Sequence, residues 1–158
     1  MTTQQQTPTD ARRAADEAQI RAQIDALIQK LHEKDLDALS RIYSADVVSF
    51  DVEPPLQHVG RDAKMRNWVN AFAMFDELSY ELRDLAVEVG DVVAFAHGFG
   101  RISGTLKNGA TTDGMWVRGT FCFRKIDGEW LIVHDQASVP LDFRTGQGVT
   151  DLEPTAEP

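Results

Sequence analysis

Three side chains of this chain are suited to moving a proton: the Asp51 carboxylate as a base, the His134 imidazole as a donor or acceptor near neutral pH, and the Arg118 guanidinium as a group that polarises an oxygen. Arg118 and Thr120 in one strand-like run, and His134, Gln136 and Ser138 in the next, recur at the two-residue period that sends side chains to one face of a sheet. That face is either solvent or the wall of a pocket. Val93, Phe95, His97, Phe99 and Arg101 share a phase in an earlier run, so His97 and Arg101 enter the same cavity if that phase is concave. Tyr43, Trp68 and Phe72 complete the candidate ligand-binding set as aromatic walls. The plainer alternative is that such rings fill the core.

Asp51 stands at the end of a short strand, ahead of the strand-breaking Glu53-Pro54-Pro55. Burial against Trp68 or Phe72 would raise its pKa toward a value useful to a base; a solvent-facing turn aspartate is the competing reading. Arg118, if inward, requires an anion, with Asp51, Asp135 or a ligand as candidates. In an undistorted strand Asp135 has the opposite phase from His134 and does not orient it, so no nucleophilic triad is expected. His97 and His134 fit adjacent strands, but His32 and His58 lie on a helical corner and a loop, and no metal-ligand spacing occurs. No metal and no cofactor is expected, there being neither a glycine fingerprint nor a phosphate loop. Cys122, flanked by Phe121 and Phe123, is read as a buried strand residue with a suppressed thiolate.

The elements that must position these residues are legible from periodicity. Ala14, Ala18, Ile20, Ile24, Leu27, Ile28 and Leu31 predict an amphipathic helix over Ala11 to Leu31, after a disordered leader, residues 1–10, whose Thr9 or Asp10 caps the helix. A second helix runs from Asp35 through Tyr43, a strand from Val47 to Val52, and a third helix from Arg61 to Asp76. Four strand-like runs follow, Leu78 to Val89, Val92 to Ser103, Thr112 to Lys125 and Trp130 to Val139, with turns at Gly90-Asp91, Asn108-Gly109 and Asp127-Gly128. One domain over residues 11–140 and a tail over 141–158 account for the whole length of 158 residues.

Sixteen Lys plus Arg against 25 Asp plus Glu give a net charge of −9, which repels polyanions and argues against a nucleic-acid partner. A single cysteine rules out an intrachain disulfide. No apolar run reaches membrane-spanning length and the first residues lack an export signal, so no membrane contact and a cytoplasmic location are expected.

Three stretches together resemble one superfamily: Leu36-Asp37-Ala38-Leu39 with Tyr43-Ser44-Ala45-Asp46-Val47; Gly60-Arg61-Asp62-Ala63; and Thr120 to Lys125 with Asp127-Gly128-Glu129-Trp130-Leu131-Ile132-Val133-His134. It is the nuclear transport factor 2-like group, also called SnoaL-like or ketosteroid isomerase-like, and the resemblance spans most of Ile20 to Pro140. It implies an α+β, cone-shaped fold, three N-terminal helices packed in a curved antiparallel β-sheet, with one open end for a ligand and sheet-to-sheet homodimers. It also implies that Asp51 falls where ketosteroid isomerases keep their general base. The chain departs from that pattern in having no tyrosine on the first helix, and in offering Arg118 and Thr120 where those enzymes carry an acid. The ending His134-Asp135-Gln136-Ala137-Ser138-Val139-Pro140 is similar to the His-x-His-x-Ser-x-Pro close of uncharacterised SnoaL-like members, with Gln136 in place of the second histidine. Two functions stay open. One is a cofactor-independent isomerase or lyase acting by proton transfer on a small carbonyl- or carboxylate-bearing substrate; the other is a non-catalytic small-ligand-binding or oligomerisation domain.

Overall fold

The computed structural model describes residues 8–155. Helix α1 (Pro8–Glu33) buries Ile20, Ile24, Leu27 and Leu31, each at most 1% exposed. Full removal of such a side chain from water contributes roughly 1.5–3 kcal/mol, which is what holds the helix to the sheet. Residues 1–7 of the expected leader lie outside the described residues, and α1 already includes Pro8, Thr9 and Asp10. At its far end the chain turns through Lys34, with φ of 55°, into α2 (Leu36–Ile42), whose first turn is capped by Asp35 accepting from Ala38 N at 3.0 Å. Tyr43 starts the strand β1 (Tyr43–Phe50). After the short β2 (His58–Val59) comes α3 (Arg61–Met74), followed by β3 (Phe75–Val89), β4 (Val93–Leu106), β5 (Thr111–Thr112), β6 (Trp116–Ile126) and β7 (Glu129–Ser138). The tail folds into a small hairpin of β8 (Leu141–Asp142) and β9 (Gln147–Gly148).

The main sheet runs β2-β1-β7-β6-β4-β3, with β5 on β4. This corrects the expected cone of purely antiparallel strands in two respects. The sheet is mixed, because β1 pairs parallel with β7, and it is open, ending at β2 on one side and β3 on the other. The antiparallel pairs β3-β4 and β6-β7 are joined by short turns that sequence announces, and β4-β6 by a short connection carrying β5. The parallel pair joins the first long strand to the last, and no local signal specifies its direction.

One irregularity decides which side chains face the helices. On β6 the neighbours Cys122 and Phe123 pair with His134 and Ile132, leaving Val133 as an extra residue on β7. The bulge reverses the strand's phase. Trp130 and Ile132 are buried before it, and Asp135 is buried after it, with Gln136 exposed. Trp130 is fastened to α1, its Nε1 donating to Asp16 Oδ1 at 3.0 Å beside Lys125 Nζ at 2.7 Å, while Gln23 Nε2 donates to the Trp130 carbonyl. On β4 the helix-facing phase is Ala94, Ala96, Gly98 and Gly100, all buried. Tyr80 of β3 lies across Gly100, its hydroxyl occupying the space a β-carbon would need.

Candidate functional site

Each strand of the sheet presents two phases, and the candidate residues divide between them. On the side turned away from the helices, the register aligns His97, Thr120 and Gln136 in one row across β4, β6 and β7, and Phe99, Arg118 and Ser138 in the next. Arg118 is exposed, and its Nε donates to Ser138 Oγ at 3.2 Å. His134 donates from Nδ1 to the Val48 carbonyl at 2.6 Å and meets the Phe50 ring edge-on at 4.7 Å. His97 lies parallel to Phe95, and Arg101 sits over Trp116 while its Nη2 donates to Glu81 Oε2 at 2.8 Å. Cys122 belongs to this phase, and burial, then the charge of Asp135, raises its thiol pKa. These residues are thus assembled side by side, as the two-residue period implies, on the face that no helix covers among the described residues.

Tyr43, Trp68, Phe72 and Asp51 lie on the other side, with the helices. Asp51 continues the phase of Val47 and Ser49 and turns to α3, where Asn67 Nδ2 donates to its Oδ2 at 2.6 Å; its Oδ1 accepts from Val52 N at 2.7 Å. It lines an open cleft of about 680 Å³ between the segment 51–57 and the end of β7, with Phe50, Leu56, Gln136, Ala137 and Ser138. Asp51 therefore meets Gln136 and Ser138 at this cleft, with Arg118 bonded to the latter. His134, His97 and Arg101 are not among its lining residues.

Deeper on the helix side is a polar group that sequence reasoning missed. Lys64 of α3, only 4% exposed, places Nζ 3.0 Å from Asp135 Oδ2 and donates to Ser49 Oγ at 2.9 Å. The same ammonium lies 5.7 Å from the Tyr43 ring centroid and 5.2 Å from that of Trp68. Trp68 stacks in turn on Phe72. Tyr43 Oη, Trp68 Nε1 and Asp135 Oδ1 are buried without a well-formed hydrogen bond among the described residues, although Trp68 and Asp135 both act on the Tyr43 hydroxyl at hydrogen-bonding range. Burial, then the Asp135 charge, pushes the Tyr43 hydroxyl well above its ordinary pKa. Tyr80 is pushed to about 12 by burial and then by Asp135 and Asp51, so both carboxylates act on one buried phenol. Sequence analysis weighed Asp135 as a partner for Arg118; the structure pairs it with Lys64 instead, because the bulge at Val133, invisible to a regular period, turns it to the helix side. Lys64 had a signal: it sits four residues before Trp68, on one helical face. No group of three or more His, Cys, Asp or Glu among the described residues is arranged to hold a metal ion.

The sequence profile of the SnoaL-like domain matches residues 20–142. The chain belongs to the SnoaL-like family. Solved structures place this SnoaL-like chain within the wider NTF2-like fold. An NTF2-like protein of unknown function from Pseudomonas putida KT2440 is 27% identical, over 89% of this chain and 98% of that one, with a TM-score of 0.80. A ketosteroid isomerase-like protein from Erwinia carotovora atroseptica SCRI1043 is 24% identical over 77% and 93% of the two chains, TM-score 0.64. A type 2 hexachlorocyclohexane dehydrochlorinase is 16% identical over 81% and 87%, TM-score 0.68. The last two likenesses are of fold. No curated protein sequence matches the chain. No helix among the described residues is long and apolar enough to cross a membrane.

Proposed function

We propose that this SnoaL-like protein is a cofactor-independent isomerase or lyase that acts by proton transfer on a small carbonyl-bearing substrate bound at the cleft, with Asp51 as the base. The observation that carries this reading is the placement of Asp51: it lines the cleft together with Gln136 and Ser138, and its carboxylate accepts a hydrogen bond from Asn67 of α3. Asp51 removes a proton from the carbon next to the carbonyl, and the electron pair moves onto the carbonyl oxygen. The proton then returns to another carbon, or the enolate expels a leaving group from the adjacent carbon. Arg118, bonded to Ser138 at the cleft edge, supplies positive charge for that oxygen or for a substrate carboxylate. His134, with Nδ1 engaged by the Val48 carbonyl, keeps Nε2 as its acceptor.

The test is exchange of solvent deuterium into the α-carbon of small ketones, followed by proton NMR. The protein accelerates it, and Asp51→Asn removes at least about a hundredfold of the rate. Equal exchange in both proteins overturns the reading. One observation favours a non-catalytic binding domain instead: both Asp51 oxygens already accept hydrogen bonds. For the partner we propose a homodimer through the uncovered sheet face, where Phe50, Val93 and Phe95 are 38%, 58% and 46% exposed.

A further inference from the structure

The C-terminal hairpin is firmly built around a side chain that touches almost nothing. Asp142 organises it: its carbonyl accepts from Gly146 N at 2.8 Å and Thr145 N at 3.2 Å, its Oδ1 accepts from Arg144 N at 2.9 Å, and Arg144 Nη2 donates to its Oδ2 at 3.0 Å. Gly146 takes the left-handed conformation of the turn, with φ of 70°, and Val149 N closes the base on the Pro140 carbonyl at 2.7 Å. The tip so fixed carries Phe143, 92% exposed, with Leu141 on the same hairpin at 52%. An aromatic residue held in water on an ordered turn has already lost the backbone freedom that binding would remove, which is the build of an interface anchor.

The surface that matches this tip is the open cleft. Phe50, Val52, Leu56, Ala137 and Val139 give it apolar walls, and Leu56 is 95% exposed. The segment 51–57 contributes Asp51 and Glu53 and neither lysine nor arginine. On the hairpin the Arg144 side chain is 89% exposed and that of its partner Asp142 only 26%, so a cation is outermost at the tip. Ring meets apolar wall, and guanidinium meets acid. Within one chain Phe143 and Leu56 both stay bare, so the hairpin does not cover its own cleft. The two nevertheless adjoin: Val139 lines the cleft, and its Cγ2 lies 3.0 Å from where a β-carbon on Gly148 would stand, at the base of the hairpin. A twofold axis through this shared surface brings each tip to the other copy's cleft, in a contact that repeats itself and closes.

We propose that Phe143 of a second copy seats in the cleft against Leu56, reciprocally, so that the protein is a dimer joined through its clefts. A cleft of about 680 Å³ takes a phenyl ring and leaves room beneath it for a small ketone. This deepens the proton-transfer reading above and rests on it only for the use of the contact, which keeps bulk water from Asp51. It is a different surface from the sheet-face pairing through Val93 and Phe95. Two phenylalanines bury roughly 150–250 Å² each, the scale of a reversible pairing rather than a permanent one.

The experiment is a dilution series of the full chain in the analytical ultracentrifuge, with Phe143→Ser and Phe95→Ser beside the parent. Phe143 lies in water within one chain, so its replacement leaves the fold intact. The parent is expected to dimerise, and Phe143→Ser to raise the dissociation constant at least about tenfold. To locate the contact, Phe143→Cys and Leu56→Cys are made separately in a Cys122→Ser background, which removes the chain's one native thiol, and are then mixed and oxidised. A disulfide-linked dimer is expected from the mixture and from neither variant alone. Absence of that cross-link, a parent that stays monomeric throughout, or association lost with Phe95→Ser and kept in full with Phe143→Ser overturns the proposal. Deuterium exchange into small ketones, recorded on the same samples, separates the contact from the reading it rests on: a cross-linked dimer that catalyses no exchange removes Asp51 as base and keeps the seated hairpin.

Discussion

The two faces of one sheet use polar residues in opposite ways. Toward solvent, His97, Thr120 and Gln136 stand in one row with Arg118 in the next, and all but the half-buried Thr120 are exposed. Toward the helices, Lys64, Asp135 and Tyr43 are buried against the half-buried Trp68, and their few contacts carry large consequences. The lesson is that the number of polar residues on a face says little about where chemistry is costly. Burial does, because each unmet group there keeps its full desolvation penalty.

The widest gap between the faces is expected from Lys64→Met alone. It strands the Asp135 charge in the interior and costs about 3–5 kcal/mol in urea unfolding, whereas adding Asp135→Leu restores most of it. A single variant as stable as the parent breaks the contrast. The tyrosines sharpen it next. The chain has only two, Tyr43 and Tyr80, and both are raised, Tyr80 to about 12. Above pH 10 the unfolded chain releases phenolic protons that the folded chain retains, so stability falls as pH rises through that range, and tyrosinate absorbance appears with unfolding rather than before it. A tyrosinate signal near pH 10 in folded protein would place a phenol in water.

Asp16 tests the same side at its other end. Asp16→Ala leaves Lys125 and the Trp130 indole unpaired and costs about 1–3 kcal/mol by thermal or urea unfolding. The bonds from Lys125 and Trp130 lower the Asp16 pKa, so its contribution is complete above the ordinary carboxylate pKa and is lost as pH falls through the lowered value. Stability of the Ala variant should therefore be flatter with pH below about 4. On the open face, His97→Ala and Thr120→Ala are expected to shift stability by no more than about 0.5 kcal/mol at low protein concentration. A penalty that grows with concentration, with sedimentation reporting a dimer, would assign that face to a second copy.

The helices and hairpins were legible because their signals are local. The Ile20, Ile24, Leu27, Leu31 stripe needs no partner to be recognised, and Asp127-Gly128 announces the β6-β7 turn in two residues. The position of Asp51 just past the end of β1 was legible from the prolines that follow it. Asp135 was read in the phase opposite to His134, and the structure keeps that opposition; its pairing with Lys64 was not legible, because Val133 adds one residue to β7 and that change depends on how β6 sits beside it. The parallel pairing of β1 with β7 was missed for a similar reason: both strands are visible alone, and only the assembled sheet sets their direction.

That parallel seam has a kinetic meaning. Hairpins such as β6-β7 close over a short stretch of chain, while β1 and β7 must find each other across nearly the whole domain, against a loop entropy met before any contact rewards it. The cleft and the Lys64 group both straddle this seam, with Ser49 and Asp51 on one side and Asp135 and Ala137 on the other. The region around the cleft is therefore expected to form last as the protein folds, with the amides from Val48 to Phe50 gaining protection from hydrogen exchange only once the rest of the sheet is in place, which pulse-labelling exchange checks.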